Sequence, residues 1–223
     1  ERRLRTLAAY LVVCSAATLF IAFALATPGT IAAGLYYLVH STFAGAALFL
    51  LADLIRRRRG RAGDRKDLIA RLPNRTLPGL LYLLAAVSLA GLPPLSGFIG
   101  KLLLLQATPA DKVSWVWWLV LGSSFLMLVG LARAGTRLSW RVEPWPDAPE
   151  PQRAAFTGRA DLPHAPSRPM ETAGTLLLLV YGIVMTIAAA PILDYPRASA
   201  EQLATPGQYV QQLRANAPAT REP

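Results

Sequence analysis

Residues Leu92 to Lys101 read L-P-P-L-S-G-F-I-G-K: two adjacent prolines and two glycines interrupt an apolar run, and a lone lysine follows. A helix cannot pass Pro93 and Pro94 unbroken, because the second ring removes an amide donor and clashes with the preceding turn. In hydrocarbon the carbonyls freed by such a break must face protein or a wet cavity. Broken helices that carry one ionisable group are a way to build an ion site inside a membrane. The chain therefore reads as a component of an ion path.

Composition supports a membrane setting. Apolar residues make up 53% of the chain and charged residues only 16%, and the charges are clustered, leaving long stretches with none. That is the pattern of a multispanning membrane protein. The net charge is +10, but the arginines flank apolar runs, so the excess points to anionic lipid headgroups and orientation in the bilayer and not to nucleic acid. The single cysteine, Cys14, lies inside an apolar run and reads as a small buried hydrophobe. One cysteine can form neither an internal disulfide nor a thiolate metal cluster. The chain opens on Glu1, Arg2 and Arg3 with no initiator Met and no signal peptide, which suggests a segment of a longer protein.

Five windows free of Asp, Glu, Lys and Arg approach the ~20 residues that a bilayer requires: Thr6 to Ala26, Thr30 to Ala52, Leu77 to Gly100, Val113 to Ala132 and Thr172 to Leu193. Each is expected to be a membrane helix, with Thr27, Pro28 and Gly29 forming a tight reversal between the first two. The expected organisation is a four-helix membrane segment over 1–134 with its break at 91–97, a cytoplasmic proline-rich loop over 135–171, a last membrane helix over 172–193, and an external polar tail over 194–223. A short surface helix is expected over Ala200 to Leu213. The fold class is all-α membrane protein, with five transmembrane helices of which one is broken.

Basic residues orient the set. Most of the 23 fall at the N-terminus (Arg2, Arg3, Arg5), between the second and third windows (Arg56 to Arg59, Arg61, Arg65, Lys66, Arg71, Arg75), or around the loop after the fourth (Arg133, Arg137, Arg141, Arg153, Arg159, Arg168). If all five windows span, these regions share one side, and the positive-inside rule places the N-terminus in the cytoplasm and the C-terminal tail outside. Trp115, Trp117 and Trp118 at the outer start of the fourth helix, with Trp140 and Trp145 after its inner end, agree with interfacial aromatic belts.

Only two strongly titratable groups fall within the spans. His40 lies ten residues after Thr30, about 15 Å deep at ~1.5 Å per residue, near the midplane of a ~30 Å core. A histidine there can pass a proton to water or to a hydroxyl, with Ser41, Thr42, Tyr36 and Tyr37 as relay neighbours, or it can simply be hydrogen-bonded between helices. An unbroken helix from Leu77 would carry Lys101 about 36 Å, beyond the core, where it would snorkel to the headgroups. The break makes that count unreliable. An ammonium held in a partly dry cavity would instead exchange protons as neighbouring charge approaches or withdraws. Asp53 precedes Arg56 to Arg59 and reads as an interfacial ion pair or as part of a cytoplasmic proton entrance. His164 sits in the proline-rich loop and reads as solvated. Nothing in the sequence forms a metal cluster, a nucleotide loop or a nucleophile triad, and no cofactor is expected.

Two runs carry a family resemblance: Gly34 to Asp53, G-L-Y-Y-L-V-H-S-T-F-A-G-A-A-L-F-L-L-A-D, and Gly91 to Lys101, G-L-P-P-L-S-G-F-I-G-K. They resemble the D subunit of the Mrp-type (also Pha or Mnh) multisubunit monovalent cation/proton antiporters, itself similar to the antiporter-like membrane subunits of respiratory complex I. The resemblance covers about residues 5 to 140 and, weakly, the last helix and tail. It implies the tenth to fourteenth helices of a fourteen-helix subunit whose two inverted five-helix repeats each contain a broken helix. It also places the family's broken-helix lysine on Lys101 and its histidine of the preceding helix on His40, both in the proton path, with Gly91, Pro93, Pro94, Ser96 and Gly97 forming the break. The implied setting is a bacterial plasma (inner) membrane, and the implied partners are other antiporter subunits, H⁺, and Na⁺ or K⁺. Several complex I relatives carry a lysine four positions after the histidine, whereas this chain has Ala44. The glutamate and lysine pair of the family's first repeat has no counterpart among these residues.

Three functions follow from these readings. The leading one is a proton-translocating subunit of a Na⁺(K⁺)/H⁺ antiporter, a secondary transporter and not an enzyme. The second is a proton-pumping membrane subunit of an NADH:quinone oxidoreductase or membrane hydrogenase. In the third, a scaffold without transport, Lys101 and His40 are structural.

Overall fold

The computed structural model describes residues 3–59, 76–140 and 169–205, together with 207 and 211. Among these, seven α-helices are formed: α1 (Leu4–Ala24), α2 (Pro28–Arg58), α3 (Thr76–Ala90), α4 (Ser96–Ala107), α5 (Val113–Gly135), α6 (Pro169–Ile187) and α7 (Ala189–Ala204). A π-helical turn, Thr136–Trp140, continues α5. Four helices, α1, α2, α5 with its continuation and α6, are long and apolar enough to cross a membrane. The remaining expected crossing is divided into α3 and α4, which at ~1.5 Å per residue are too short to span a ~30 Å core singly.

The reversal between α1 and α2 falls earlier than the sequence suggests. Ala26 turns the chain at φ 53°, while Pro28 and Gly29 already belong to α2. Proline suits a first helical turn because its missing N–H would be unpaired there anyway. Thr27 caps the helix reciprocally with Thr30: each backbone N–H reaches the other's side-chain oxygen at 3.2 Å. At the far end α2 outruns its uncharged window and continues through Arg58, where Asp53 accepts from Arg56 and Arg57 three and four residues on.

Helix α2 is the axis of the bundle, contacting α1, α3, α4, α6 and α7. Its C-terminal half joins a large apolar cluster with α1, α3, α5 and α6, including Leu11, Leu48, Leu51, Tyr82, Leu131 and Leu179. Its N-terminal half meets a second cluster built on Ala22, Ala33, Leu104, Val116 and Val120. Between Ala33 in one cluster and Ala44 in the other, α2 carries His40, so a polar layer is held between two apolar ones.

Two expected boundaries are corrected. Of the loop placed over 135–171, residues 135–140 are helical and Pro169 to Glu171 open α6, while residues 141–168, including His164, lie outside the described residues. The tail placed from 194 is helical as far as Ala204. The last span is instead interrupted at Ala188, because Pro191 has no N–H for the Ile187 carbonyl and its ring would clash there. Helix α7 then packs along α2 with Leu193, Pro196 and Ala200 buried. The surface helix expected from Ala200 thus begins earlier, and most of its later residues lie outside those described.

Candidate functional site

The break between α3 and α4 is built from its glycines outward. Helix α3 ends in a Schellman motif: Gly91 adopts φ 77°, its N–H reaches the Ser88 carbonyl at 3.2 Å, and the Leu92 N–H reaches the Val87 carbonyl at 3.1 Å. Only glycine takes that left-handed conformation freely. The Pro93–Pro94 bond, which is cis, carries the chain to Leu95, and α4 starts at Ser96.

The motif leaves the Ala90 carbonyl without a backbone partner in the last turn, and Lys101 fills the gap. Its Nζ donates to the Ala90 oxygen at 3.1 Å and to Ser124 Oγ of α5 at 2.8 Å. The lysine thus doubles back from α4 to cover the C-terminal end of α3, the end that favours a cation. Its stem lies so close to Gly91 that a Cβ there would be 2.9 Å from Lys101 Cδ. Lys101 is only 6% exposed. It does not snorkel to the headgroups, because the break restarts the helix and turns the side chain inward. Among the described residues no carboxylate pairs with it, so two uncharged oxygens hold the ammonium.

His40 lies on the other side of the same break. It is 2% exposed, and its Nδ1 is 2.8 Å from Ser96 Oγ, itself fully buried at the start of α4. Gly97 makes this approach possible: a Cβ there would overlap the Ser88 carbonyl oxygen and lie 2.7 Å from His40 Nε2. The imidazole therefore wedges between the end of α3 and the beginning of α4. Gly182 of α6 completes the wall, its Cβ position 3.8 Å from Ser96 Oγ and 4.0 Å from Ser88 Oγ.

Of the relay neighbours considered, the structure brings only Tyr37 against the imidazole. The Tyr37 ring lies 5.6 Å from the His40 ring, and its hydroxyl reaches Ser15 Oγ of α1 at 3.4 Å. Tyr36 donates instead to the Met185 carbonyl at 2.9 Å. Ser41 and Thr42 bond the Leu38 carbonyl of their own helix at 3.1 and 2.8 Å, away from the imidazole. Asp53 lies apart in an ion cluster, accepting from Arg5 of α1 at 2.7 Å, Arg56 at 3.0 Å and Arg57 at 2.6 Å. Arg57 also meets Glu171 of α6 at 3.4 Å, so the start of α1, the end of α2 and the start of α6 share one end of the bundle.

Ser88, Ser124 and Gly182 belong to the site although the sequence did not single them out. A serine or glycine on a uniformly apolar helix gives no sign of which neighbour it faces. The residues at the break offer an ammonium, an imidazole, hydroxyls and carbonyls. Among the described residues no three His, Cys, Asp or Glu side chains converge in a way that would hold a metal ion.

A bundle whose midline holds a broken helix, with an ammonium on one broken end and an imidazole on the other, defines an all-α, multi-pass membrane protein of the broken-helix class. The family model described as NADH:quinone oxidoreductase/Mrp antiporter, TM, matches residues 1–127, and the chain belongs to that family. More particularly, the chain is similar to the D subunit of a Na⁺/H⁺ antiporter of Bacillus subtilis, at 28% identity over 91% of this chain and 38% of that protein. It is also similar to the D subunit of a probable K⁺/H⁺ antiporter of Rhizobium meliloti, at 29% identity over 90% of this chain and 39% of that protein. A chain in the structure of an Mrp complex from Dietzia sp. shares the fold, with a TM-score of 0.75 at 23% identity, over 95% of this chain and 45% of its own length. The chain thus spans about two-fifths of the length of the Bacillus and Rhizobium relatives.

Proposed function

We propose that these residues form the C-terminal, proton-translocating part of the D subunit of a multisubunit Na⁺(K⁺)/H⁺ antiporter, in a bacterial plasma membrane, with the N-terminal end of the segment cytoplasmic. The observation that carries the reading is Lys101: an ammonium buried at a helix break, bound by a carbonyl and a hydroxyl and by no carboxylate among the described residues. A buried charge held only by neutral acceptors loses and regains its proton at low cost when a neighbouring charge moves. The carbonyl end of α3 favours the charged form, and the break keeps that end inside the bundle.

His40 is the adjoining relay. Its Nδ1 meets the Ser96 hydroxyl, and its ring lies beside Tyr37, whose own hydroxyl leads to Ser15. Protons can move along hydroxyl and imidazole groups that both donate and accept. The glutamate and lysine pair of the family's first repeat is absent from these residues, so a complete transport path calls for the remainder of the D subunit. The arginine-rich end of the bundle, with Arg5 and Arg56 to Arg58, suits a cytoplasmic face against anionic lipid.

The test is Lys101→Ala in the full antiporter assembly, in everted membrane vesicles. The variant is expected to assemble normally and to lose cation-dependent dissipation of ΔpH. Wild-type exchange by an assembled Lys101→Ala complex would reject the proton-carrier role.

A further inference from the structure

Ser124 is the one side chain among the described residues that is hydrogen-bonded to Lys101; the other partner is the Ala90 carbonyl. The Ser124 hydroxyl donates to the Val120 carbonyl of its own helix at 2.7 Å. Its proton is therefore directed along α5, and a lone pair faces the ammonium. Neighbouring Ser123 makes the same kind of bond, to the Val120 carbonyl at 3.0 Å, and has no hydrogen bond to Lys101.

A hydroxyl differs from a carbonyl in one respect that matters here. The Ala90 oxygen can only accept, so it holds one N–H of Nζ in either protonation state but offers nothing to the lone pair of the neutral amine. Ser124 has a rotatable O–H and can either accept or donate. When Lys101 is charged, Oγ accepts from N–H. When Lys101 is neutral, rotation about Cβ–Oγ turns the hydroxyl proton from the Val120 carbonyl to the amine. Inside α5 the Val120 carbonyl keeps its backbone bond from the N–H four residues on, so the rotation leaves no buried carbonyl bare.

We propose that Ser124 is the positioning residue of the lysine proton carrier: by reversing the direction of one hydrogen bond, it keeps Nζ against the end of α3 in both protonation states. The proposal rests on the reading of Lys101 as that carrier. It assigns Ser124 no proton of its own to transport. Its role is to stop the neutral amine from swinging off the α3 end, which would slow each return of a proton.

The experiment uses the full antiporter assembly in everted vesicles, with initial rates of ΔpH dissipation recorded against Na⁺ or K⁺ concentration. Ser124→Ala is expected to lower the maximal rate about tenfold, the scale of one hydrogen bond to a charged group, with the apparent KM for the cation unchanged. Ser124→Thr keeps a hydroxyl on the same carbon and is expected to restore the rate. Ser124→Cys, of similar volume but with a weak hydrogen bond, is expected to be slow, which covers the case of an alanine variant that fails to assemble. Ser123→Ala is expected to match wild type. Wild-type rates for both Ser124→Ala and Ser124→Cys, a threonine variant as slow as alanine, or an equal loss in Ser123→Ala would overturn the proposal. If Lys101→Ala is inactive while Ser124→Ala is normal, only the positioning role fails; if Lys101→Ala exchanges normally, the underlying reading fails.

Discussion

Gly97→Ala puts the geometry of the break to its most direct test. A methyl group at Gly97 would overlap the Ser88 carbonyl oxygen and lie 2.7 Å from His40 Nε2 and 3.0 Å from Cε1, where ordinary contacts are about 3.5 Å. Neither neighbour can easily give way. The Ser88 carbonyl is backbone and already accepts the Gly91 N–H that ends α3, and the imidazole is tied to Ser96. Relief requires α4 to withdraw from α3 or His40 to leave Ser96. Overpacking of this kind costs about 1–3 kcal/mol, and a buried imidazole nitrogen left without its partner adds about 1–3 kcal/mol. The expected sum of about 2–6 kcal/mol is to be read as a lowered melting temperature of the purified assembly and an exchange rate well below a tenth of wild type in everted vesicles. Gly182→Ala is the control, since its methyl would make only ordinary contacts at 3.8 and 4.0 Å. Wild-type stability and rate for Gly97→Ala would refute the reasoning, as would equal losses in both variants.

Gly91 carries two constraints that substitutions can separate. Gly91→Ala should cost about 1–2 kcal/mol for its left-handed conformation and further destabilise the assembly through collision with the Lys101 stem; Gly91→Asn tolerates the conformation but not the collision, so its exchange rate should stay low, and a fully active asparagine variant would remove the collision from the account. Asp53→Asn leaves Arg5, Arg56 and Arg57 without their shared carboxylate and should lower stability by about 1–2 kcal/mol, less at high salt, with exchange within about twofold of wild type. Melting curves at low and high salt check the first part; abolished exchange in a stable Asp53→Asn assembly would instead make Asp53 part of the proton entrance.

The sequence made the break visible because proline and glycine act locally: Pro93 and Pro94 forbid a continuous helix wherever they fall. It also drew attention to Lys101 and His40, since charge and imidazole are rare in apolar windows. What it could not convey was direction. Counting residues from Leu77 placed Lys101 beyond the membrane core, whereas the chain restarts at Ser96 and the side chain folds back on Gly91, a consequence of the backbone path after the Schellman motif. Helices α3, α5 and α6 are apolar on every side, so no periodicity told which neighbours Ser88, Ser124 and Gly182 would face. Ser41 and Thr42 were plausible relays by proximity in sequence, but positions one and two residues along a helix point to other faces than His40. The bend at Ala188 was written in Pro191, a weaker sign than a double proline because it falls where a new helix can begin.

Helix α2 continues without interruption for 31 residues, about 46 Å, with Asp53 and its arginines near one end and His40 about 20 Å away along the same axis. Beside this stiff strut, α3 and α4 meet at a joint. The imidazole touches both sides of that joint, Ser96 at the start of α4 and the Gly97–Ser88 approach to the end of α3, so the angle between the two short helices sets the space left to it.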